Sequence, residues 1–246
     1  MEIKTKIKLI AFDADDTLWL NEIYYRDTEK AFAKMLEAYL PEKEVSKFLL
    51  QTETKNIPLY GYGVKGFALS MLETAMEIMA EKVDKQVIAE IIKLAKNLIM
   101  APLKLLDGVS ETLKEMNQMG LKLVLATKGD LLDQERKLKN SGLSNCFHHI
   151  EIMSNKTKDD YAKLLKRLNV KPDEFLMIGN SIKSDILPVL ALGSYAIHIP
   201  YHTTWEHEKV ENSESENERY TEIVSIGEIL ELIQKHSSFF VKFEEH

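Results

Sequence analysis

A short apolar run, Ile7-Lys8-Leu9-Ile10-Ala11-Phe12, stops abruptly at Asp13-Ala14-Asp15-Asp16-Thr17, and everything that follows must be fitted around that break. The run reads as a short buried strand. After it the pattern changes completely. From Asn21 to about Met100 the periodicity is only helical, with helices expected over Glu22–Tyr39, Glu42–Thr54, Val64–Glu81 and Lys85–Leu98. Pro41, the Ile57–Gly63 stretch and Asp84 punctuate them. Four helices with no strand between them imply a small separate bundle. Beyond Pro102 strands and helices alternate: helix Gly108–Gln118, strand Leu121–Ala126, helix Leu131–Asn140, strand Phe147–Met153, helix Asp159–Leu168, strand Glu174–Ile178, helix Ser181–Leu192 and strand Ser194–Ile199. Such alternation implies parallel pairing and a layered α/β core. The expected architecture is a doubly wound, mainly parallel sheet whose first strand precedes an inserted all-α bundle. Residues 1–19 and 101–246 would form the core and 20–100 the insert.

Composition narrows the function classes. The chain has 246 residues, 45% of them apolar and 29% charged, which fits an ordinary globular protein rather than a disordered or membrane one. Its net charge of −7 argues against a broad nucleic-acid surface, which needs clustered Lys and Arg, but leaves room for one local phosphate pocket. Cys146 is the single cysteine, so neither an intrachain disulfide nor a cysteine-based zinc site is expected, and a reducing cytoplasm suits the chain. The N-terminal alternation of Lys4, Lys6 and Lys8 with Ile3, Ile7 and Leu9 does not make a targeting signal, and no stretch is long enough to span a bilayer. His207–Arg219 reads as a polar, solvated loop, Ile223–Val224 as a last edge strand and Ile226–Gln234 as a closing helix. The tail Phe239-Phe240-Val241 is either docked on the core or a contact surface.

Open α/β sheets bind ligands at the carboxyl ends of their strands. There this sequence places Asp13 and Asp15, then Thr127 and Lys128, then Ser154-Asn155-Lys156, then Gly179-Asn180-Ser181 with Asp185 beyond. Two carboxylates, a hydroxyl, an ammonium, an amide and a further carboxylate suit a metal-assisted reaction at an anionic substrate. Taken together these segments resemble the haloacid dehalogenase (HAD) superfamily. Phe12-Asp13-Ala14-Asp15-Asp16-Thr17-Leu18 is similar to its first motif and Leu123–Thr127 to its second. Lys156 before a helix is similar to its third, and Gly179-Asn180-Ser181-Ile182-Lys183-Ser184-Asp185 to its fourth. The resemblance covers about Ile7 to Pro200, and the helical insert corresponds to the family's cap domain on a Rossmann-like core.

The resemblance implies a set of roles. Asp13 would be the nucleophile that forms an aspartyl-phosphate, and Asp15 would protonate the leaving oxygen and later deprotonate water. Thr127 would hydrogen-bond a phosphoryl oxygen, and Lys156 would neutralise charge. Mg²⁺ would be held among Asp13, Asp15 (through its carbonyl), Asn180 and Asp185. Two departures stand out. Asn180 occupies a position where aspartate is usual, which implies weaker Mg²⁺ binding. Lys128 follows Thr127 where many relatives place asparagine, and either adds positive charge at the mouth of the site or points to solvent.

Other patterns have competing readings. Gly61-Tyr62-Gly63-Val64-Lys65-Gly66 spells a dinucleotide fingerprint, but no apolar strand precedes it. It reads as an inter-helix turn, or as a cap loop in which Tyr62 and Lys65, with Tyr60, touch substrate. Lys158 competes with Lys156 for the third-motif role. His198, His202 and His207 read as surface or loop histidines rather than metal ligands, and Met71, Met76 and Met79 as a core-filling stripe. Asn155-Lys156-Thr157 fits a glycosylation sequon without any sign of secretion.

The function expected is Mg²⁺-dependent hydrolysis of a small-molecule phosphate monoester, with neither a nucleic-acid polymer nor a membrane as partner. The cap would open for exchange and close to exclude water. The alternatives are a non-catalytic or regulatory binding module on the same fold, and a dehalogenase or phosphomutase. Asp15 speaks against the dehalogenase, because members with that chemistry lack the second aspartate of the first motif.

Overall fold

The computed structural model describes residues 1–203, 205–208 and 217–242. The chain divides into two units: Met1–Leu20, Leu103–Lys128 and Glu135–His246 in one, Asn21–Pro102 and Gly129–Gln134 in the other. The first unit is built on a six-stranded sheet in the order β3-β2-β1-β4-β5-β6. Its strands are β1 (Leu9–Phe12), β2 (Leu123–Lys128), β3 (His149–Met153), β4 (Phe175–Gly179), β5 (Tyr195–His198) and β6 (Tyr220–Glu222), and every pair is parallel. Parallel strands need crossovers and are covered on both faces. The side chains obey that rule. Ile10, Phe12, Leu123, Leu125, Leu176 and Ile178 join one buried cluster, and Leu9, Ala11, Val124, Ala126, Phe175 and Met177 join the other. Helices α5 (Val109–Gln118) and α9 (Glu228–Lys235) supply Val109, Leu113, Ile229 and Ile233 to the first layer. Helix α7 (Lys158–Leu168) supplies Tyr161, Leu164 and Leu165 to the second. Thr157 opens α7 through a reciprocal capping box with Asp160, so the chain turns into this helix directly after Lys156.

The last strand is Tyr220–Glu222, not Ile223–Val224. Tyr220 is buried beside Ala196, whereas Val224 is left exposed beyond the strand end. The Phe239-Phe240-Val241 tail docks on the core. Ile7 N–H donates to the Phe239 carbonyl, Val241 N–H donates to the Ile7 carbonyl, and Phe240 is buried.

The second unit contains α1 (Glu22–Met35), α2 (Glu42–Tyr60), α3 (Val64–Met79) and α4 (Lys85–Ile99). Phe32, Leu36, Leu49, Phe67, Met71, Ala75, Met79 and Ile91 form its core. Met71, Ala75 and Met79 repeat every four residues along α3, while Met76 falls off that stripe and is exposed, so the methionine set is not one face. Helix α2 runs six residues past Thr54, with Pro58 inside it. Proline removes one hydrogen bond to the preceding turn, a cost that is smallest in the final turn where the helix is ending anyway. The turn from α2 to α3 accounts for the glycine pattern. Gly61 and Gly63 have φ of 73° and 108°, and a Cβ on Gly66 would sit 2.9 Å from the Gly61 carbonyl oxygen. No helix among the described residues is long and apolar enough to cross a membrane.

Candidate active site

The strand ends of the sheet unit bring one set of polar side chains together. Asp13 follows β1 directly, and its N–H donates to the Ile178 carbonyl, which ties the end of β1 to the end of β4. One Asp13 carboxylate oxygen accepts from Lys156 Nζ, and the other accepts from Thr17 Oγ1 at 3.2 Å. Lys156 Nζ also donates to Asp185 Oδ1 at 2.6 Å. The second Asp185 oxygen accepts the Ser181 N–H at 3.0 Å. A single buried ammonium is thus shared by two buried carboxylates. Lys158, the rival lysine, is exposed on α7.

The electrostatics follow from that stoichiometry. Burial pushes the Asp13 carboxyl up, and Asp185 adds to this, so that it reaches about 7 despite the opposing pull of Lys156. Burial alone would lower Lys156. The carboxylates of Asp13 and Asp185 outweigh it and hold the ammonium well above its ordinary value.

The turn after β4 is built for close approach. A Cβ on Gly179 would lie 2.3 Å from Asp185 Oδ2, so only glycine lets Asp185 fold back over the strand end. Instead of one continuous helix from Ser181 to Leu192, the chain makes a π-helical turn over Ile182–Ile186 and then α8 (Leu187–Leu190). Such wide turns recur at functional sites. Here it carries Ser184 and Asp185 inward. The turn is held from both sides: Asn180 N–H donates to Thr17 Oγ1 at 3.1 Å, and His198 Nε2 donates to the Asn180 carbonyl at 3.1 Å. His198 is therefore not the surface histidine expected. It is buried at the end of β5, with Nδ1 2.9 Å from Glu222.

Asp15 faces differently from Asp13. Its carboxylate accepts from Trp19 Nε1 at 2.7 Å and from Lys137 Nζ at 3.0 and 3.1 Å. Its backbone carbonyl stays by Asp13 and Asn180. With its nitrogen inward, the Asn180 amide lies 3.2 Å from that carbonyl and 3.3 Å from Asp13 Oδ2; turned over, it presents its oxygen to the same spot. A carboxylate oxygen, a peptide carbonyl and an amide oxygen are the hard donors Mg²⁺ takes, so this cluster fits the ion. Both Asp185 oxygens are engaged by Lys156 and the Ser181 N–H, outside that trio. The trio carries only one formal charge. Asn180→Asp is expected to tighten Mg²⁺ binding by about tenfold, read by calorimetric titration, and tighter binding by the wild type would overturn the assignment.

Thr127 is buried at the end of β2, and Lys128 projects from the opposite face of the strand. Lys128 does not point to solvent. Its Nζ donates to Ser184 Oγ at 2.8 Å and to Glu208 Oε1 at 2.5 Å. Glu208 lies where a solvated loop was expected, yet it is buried; residues 209–216 of that segment lie outside the described ones. In the helical unit Tyr62 lies in the α2–α3 turn, and Lys65 Nζ donates to Asp130 at 2.8 Å.

Trp19, Lys137, His198 and Glu208 were not among the site residues expected from sequence. Trp19 sits four residues after Asp15, a weak local signal. The other three reach the site from helix α6 (Leu131–Ser141), from the end of β5 and from beyond it, and only tertiary structure connects them.

Comparisons with known proteins identify the family. A family model described as haloacid dehalogenase-like hydrolase matches residues 7–193. Among solved structures, a haloacid dehalogenase-like family hydrolase from Xanthomonas campestris superposes with a TM-score of 0.83 at 34% identity, covering 96% of this chain and 94% of that one. A HAD-hydrolase from Bacillus subtilis bound to magnesium has a TM-score of 0.64 at 17% identity, covers 94% of this chain and 100% of its own, and is alike in fold alone. The glyceraldehyde 3-phosphate phosphatase of Methanopyrus kandleri is 28% identical over 202 residues, 78% of this chain and 84% of its own length.

Proposed function

The chain belongs to the haloacid dehalogenase-like hydrolases, and from that premise we propose that it hydrolyses phosphate monoesters of small molecules through a phosphoryl group carried on Asp13. The observation that carries the reading is the shared ammonium: Lys156 bridges Asp13 and Asp185 at the strand ends, next to an oxygen-donor cluster. The phosphatase from Methanopyrus kandleri supports the ester class, and the oxygen-donor cluster of Asp13, the Asp15 carbonyl and Asn180 supports the ion.

Mg²⁺, held by Asp13, the Asp15 carbonyl and Asn180, would screen the repulsion between an anionic nucleophile and an anionic substrate. The chain's own residues do the rest. An Asp13 oxygen attacks phosphorus as the bond to the ester oxygen breaks, and Asp15 delivers a proton to that departing oxygen. Asp15, now ionised, takes a proton from the water that attacks phosphorus in the second step, releasing phosphate and restoring Asp13. Lys156 offsets the charge on Asp13 and the phosphoryl oxygens throughout. Thr127 donates to a phosphoryl oxygen, and Trp19 and Lys137 hold the Asp15 carboxylate between proton transfers.

The direct test is hydrolysis of p-nitrophenyl phosphate with and without Mg²⁺ by wild type and Asp13→Asn. Activity that requires both ion and Asp13 is expected; activity indifferent to either contradicts the proposal. If wild type is inactive on this ester, beryllofluoride binding decides, because a working nucleophile captures it only with Mg²⁺ and Asp13. Failure there leaves a binding module.

The role given to Asp15 has its own signature. Asp15→Asn should lower kcat/KM for an alkyl phosphate such as glycerol phosphate by roughly 10²–10⁴-fold. It should cost p-nitrophenyl phosphate far less, because p-nitrophenolate leaves without protonation. Equal losses on both esters would remove Asp15 from leaving-group protonation.

A further inference from the structure

The segment after β5 sends one acidic side chain back into the strand ends. Glu208 collects three donors: Lys128 Nζ on one oxygen, and the hydroxyls of Ser181 and Ser184 on the other. Those donors come from the end of β2 and from the π-helical turn that carries Asp185. Lys183 Nζ donates to the neighbouring His207 carbonyl at 2.7 Å, a second tie to the same segment. The Lys128 and Glu208 side chains are only 16% and 10% exposed, so this is a sheltered ion pair rather than a surface one. Lys128 thus carries a second, sheltered ammonium close enough to Lys156 for the two to repel each other.

A buried lysine next to another lysine tends to shed its proton. Burial lowers Lys128, and Lys156 adds to that; Glu208 is the chief opposing influence, with Asp185 helping. Glu208 in turn meets a burial cost, but Lys128 and the two serine hydroxyls outweigh it and hold the carboxyl at about 2. Charge and direction at Lys128 thus both depend on Glu208.

We propose that Glu208 is a positioning residue of the phosphoryl site, holding the Lys128 ammonium so that a second cation beside Lys156 faces the bound phosphoryl group. The inference rests on the proposed phosphoryl chemistry but concerns anion binding, which is measurable without turnover. Glu208 and His207 from the segment after β5, Ser184 and Asp185 from the π-helical turn, and Lys156 from the loop just before α7 all bear on Lys128.

The test is the dissociation constant of inorganic phosphate, measured by calorimetry at fixed Mg²⁺ from pH 6 to pH 9 on the full chain. The variants are Lys128→Met, Glu208→Gln, Glu208→Asp and the double Lys128→Met/Glu208→Gln. Lys128→Met is expected to weaken phosphate about tenfold, the scale of one lost charge-assisted hydrogen bond. Glu208→Gln should approach that loss as pH rises, because a Lys128 without its carboxylate loses its proton at lower pH. Glu208→Asp should restore part of the affinity, and the double variant should bind no worse than Lys128→Met alone. A purely structural tie would lower the melting temperature without changing the ratio of variant to wild-type affinity across pH. Unchanged affinity in Lys128→Met, a pH-independent ratio in Glu208→Gln, or additive losses in the double variant would each overturn the proposal. So would a wild type that binds no phosphate. A wild type that binds phosphate with these sensitivities yet hydrolyses no ester would instead overturn the phosphatase reading and leave Glu208 in place.

Discussion

Asp13→Asn is expected to abolish turnover, by about 10⁴-fold or more, and at the same time to make the protein harder to melt. The loss follows from removing the nucleophile. The gain follows from charge stoichiometry: two buried carboxylates, Asp13 and Asp185, share one ammonium, and the Asp13 carboxyl is pushed up to about 7 from an ordinary 3.8. The sign is set by which state holds the proton. Well below pH 3.8 both folded and unfolded chains carry a neutral Asp13, and the substitution costs nothing electrostatically. Between pH 4 and pH 7 the unfolded chain releases the proton easily while the folded chain resists, so wild-type stability falls as pH rises. The variant, with no charge to bury, escapes that fall. At pH 8, with Mg²⁺ chelated, the difference should reach about 2 kcal/mol, worth roughly 4–8 °C in a chain of this size. Melting curves of both proteins from pH 4 to pH 8 check it, and a difference that shrinks as pH rises would contradict the assigned electrostatics.

Lys156→Met has the opposite effect on stability and the same effect on activity. It leaves two carboxylates buried without their cation, and breaking one side of a buried ionic network costs about 3–5 kcal/mol. The folded protein will relieve this by keeping a proton on Asp13, whose carboxyl burial already pushes up. The destabilisation should therefore be largest at pH 8 and shrink towards pH 5, where protonation is cheap. Turnover should fall by about 10³-fold or more, because the charge on Asp13 and the phosphoryl oxygens is no longer offset. Full activity, or a melting temperature unaffected by pH, would remove Lys156 from the centre of the site. These two substitutions isolate opposite halves of one arrangement: the site keeps an excess of buried negative charge at the nucleophile, and the lysine limits its cost.

Much of this was legible in the sequence because the information is local. The apolar run before Asp13 and the change from helical to alternating periodicity at Pro102 each occupy a few consecutive positions, and backbone preferences act at that range. The parallel pairing follows from the same alternation, since parallel strands need crossovers. The helical insert read well for the same reason, with errors only at helix ends such as the run through Pro58. What was not legible lies at long range. Nothing near Glu208 marks it as different from Glu206; it is singled out by Lys128, 80 residues earlier. Lys137 lies on an ordinary charged helix and acquires its role only because Asp15, 122 residues away, lies within reach. His198 was misread because histidines scattered around a proline look like loop residues until β6 supplies Glu222. The last strand was shifted by three residues because Ile223-Val224 has the stronger β propensity, while burial of Tyr220 beside Ala196 decides the register.

The claim on which the rest depends is that Asp13 carries the phosphoryl group. An acyl phosphate is reduced by borohydride to the alcohol, whereas a free carboxylate is not, so the residue that carried phosphate becomes homoserine. The protein would be mixed with p-nitrophenyl phosphate and Mg²⁺, quenched during turnover, reduced with borohydride and digested, and the peptide spanning Ile7–Leu20 read by mass spectrometry. The account predicts homoserine at position 13, dependent on both ester and ion, and nowhere else. Turnover with no reduction at position 13, or reduction at Asp15 or Asp185 instead, would contradict it.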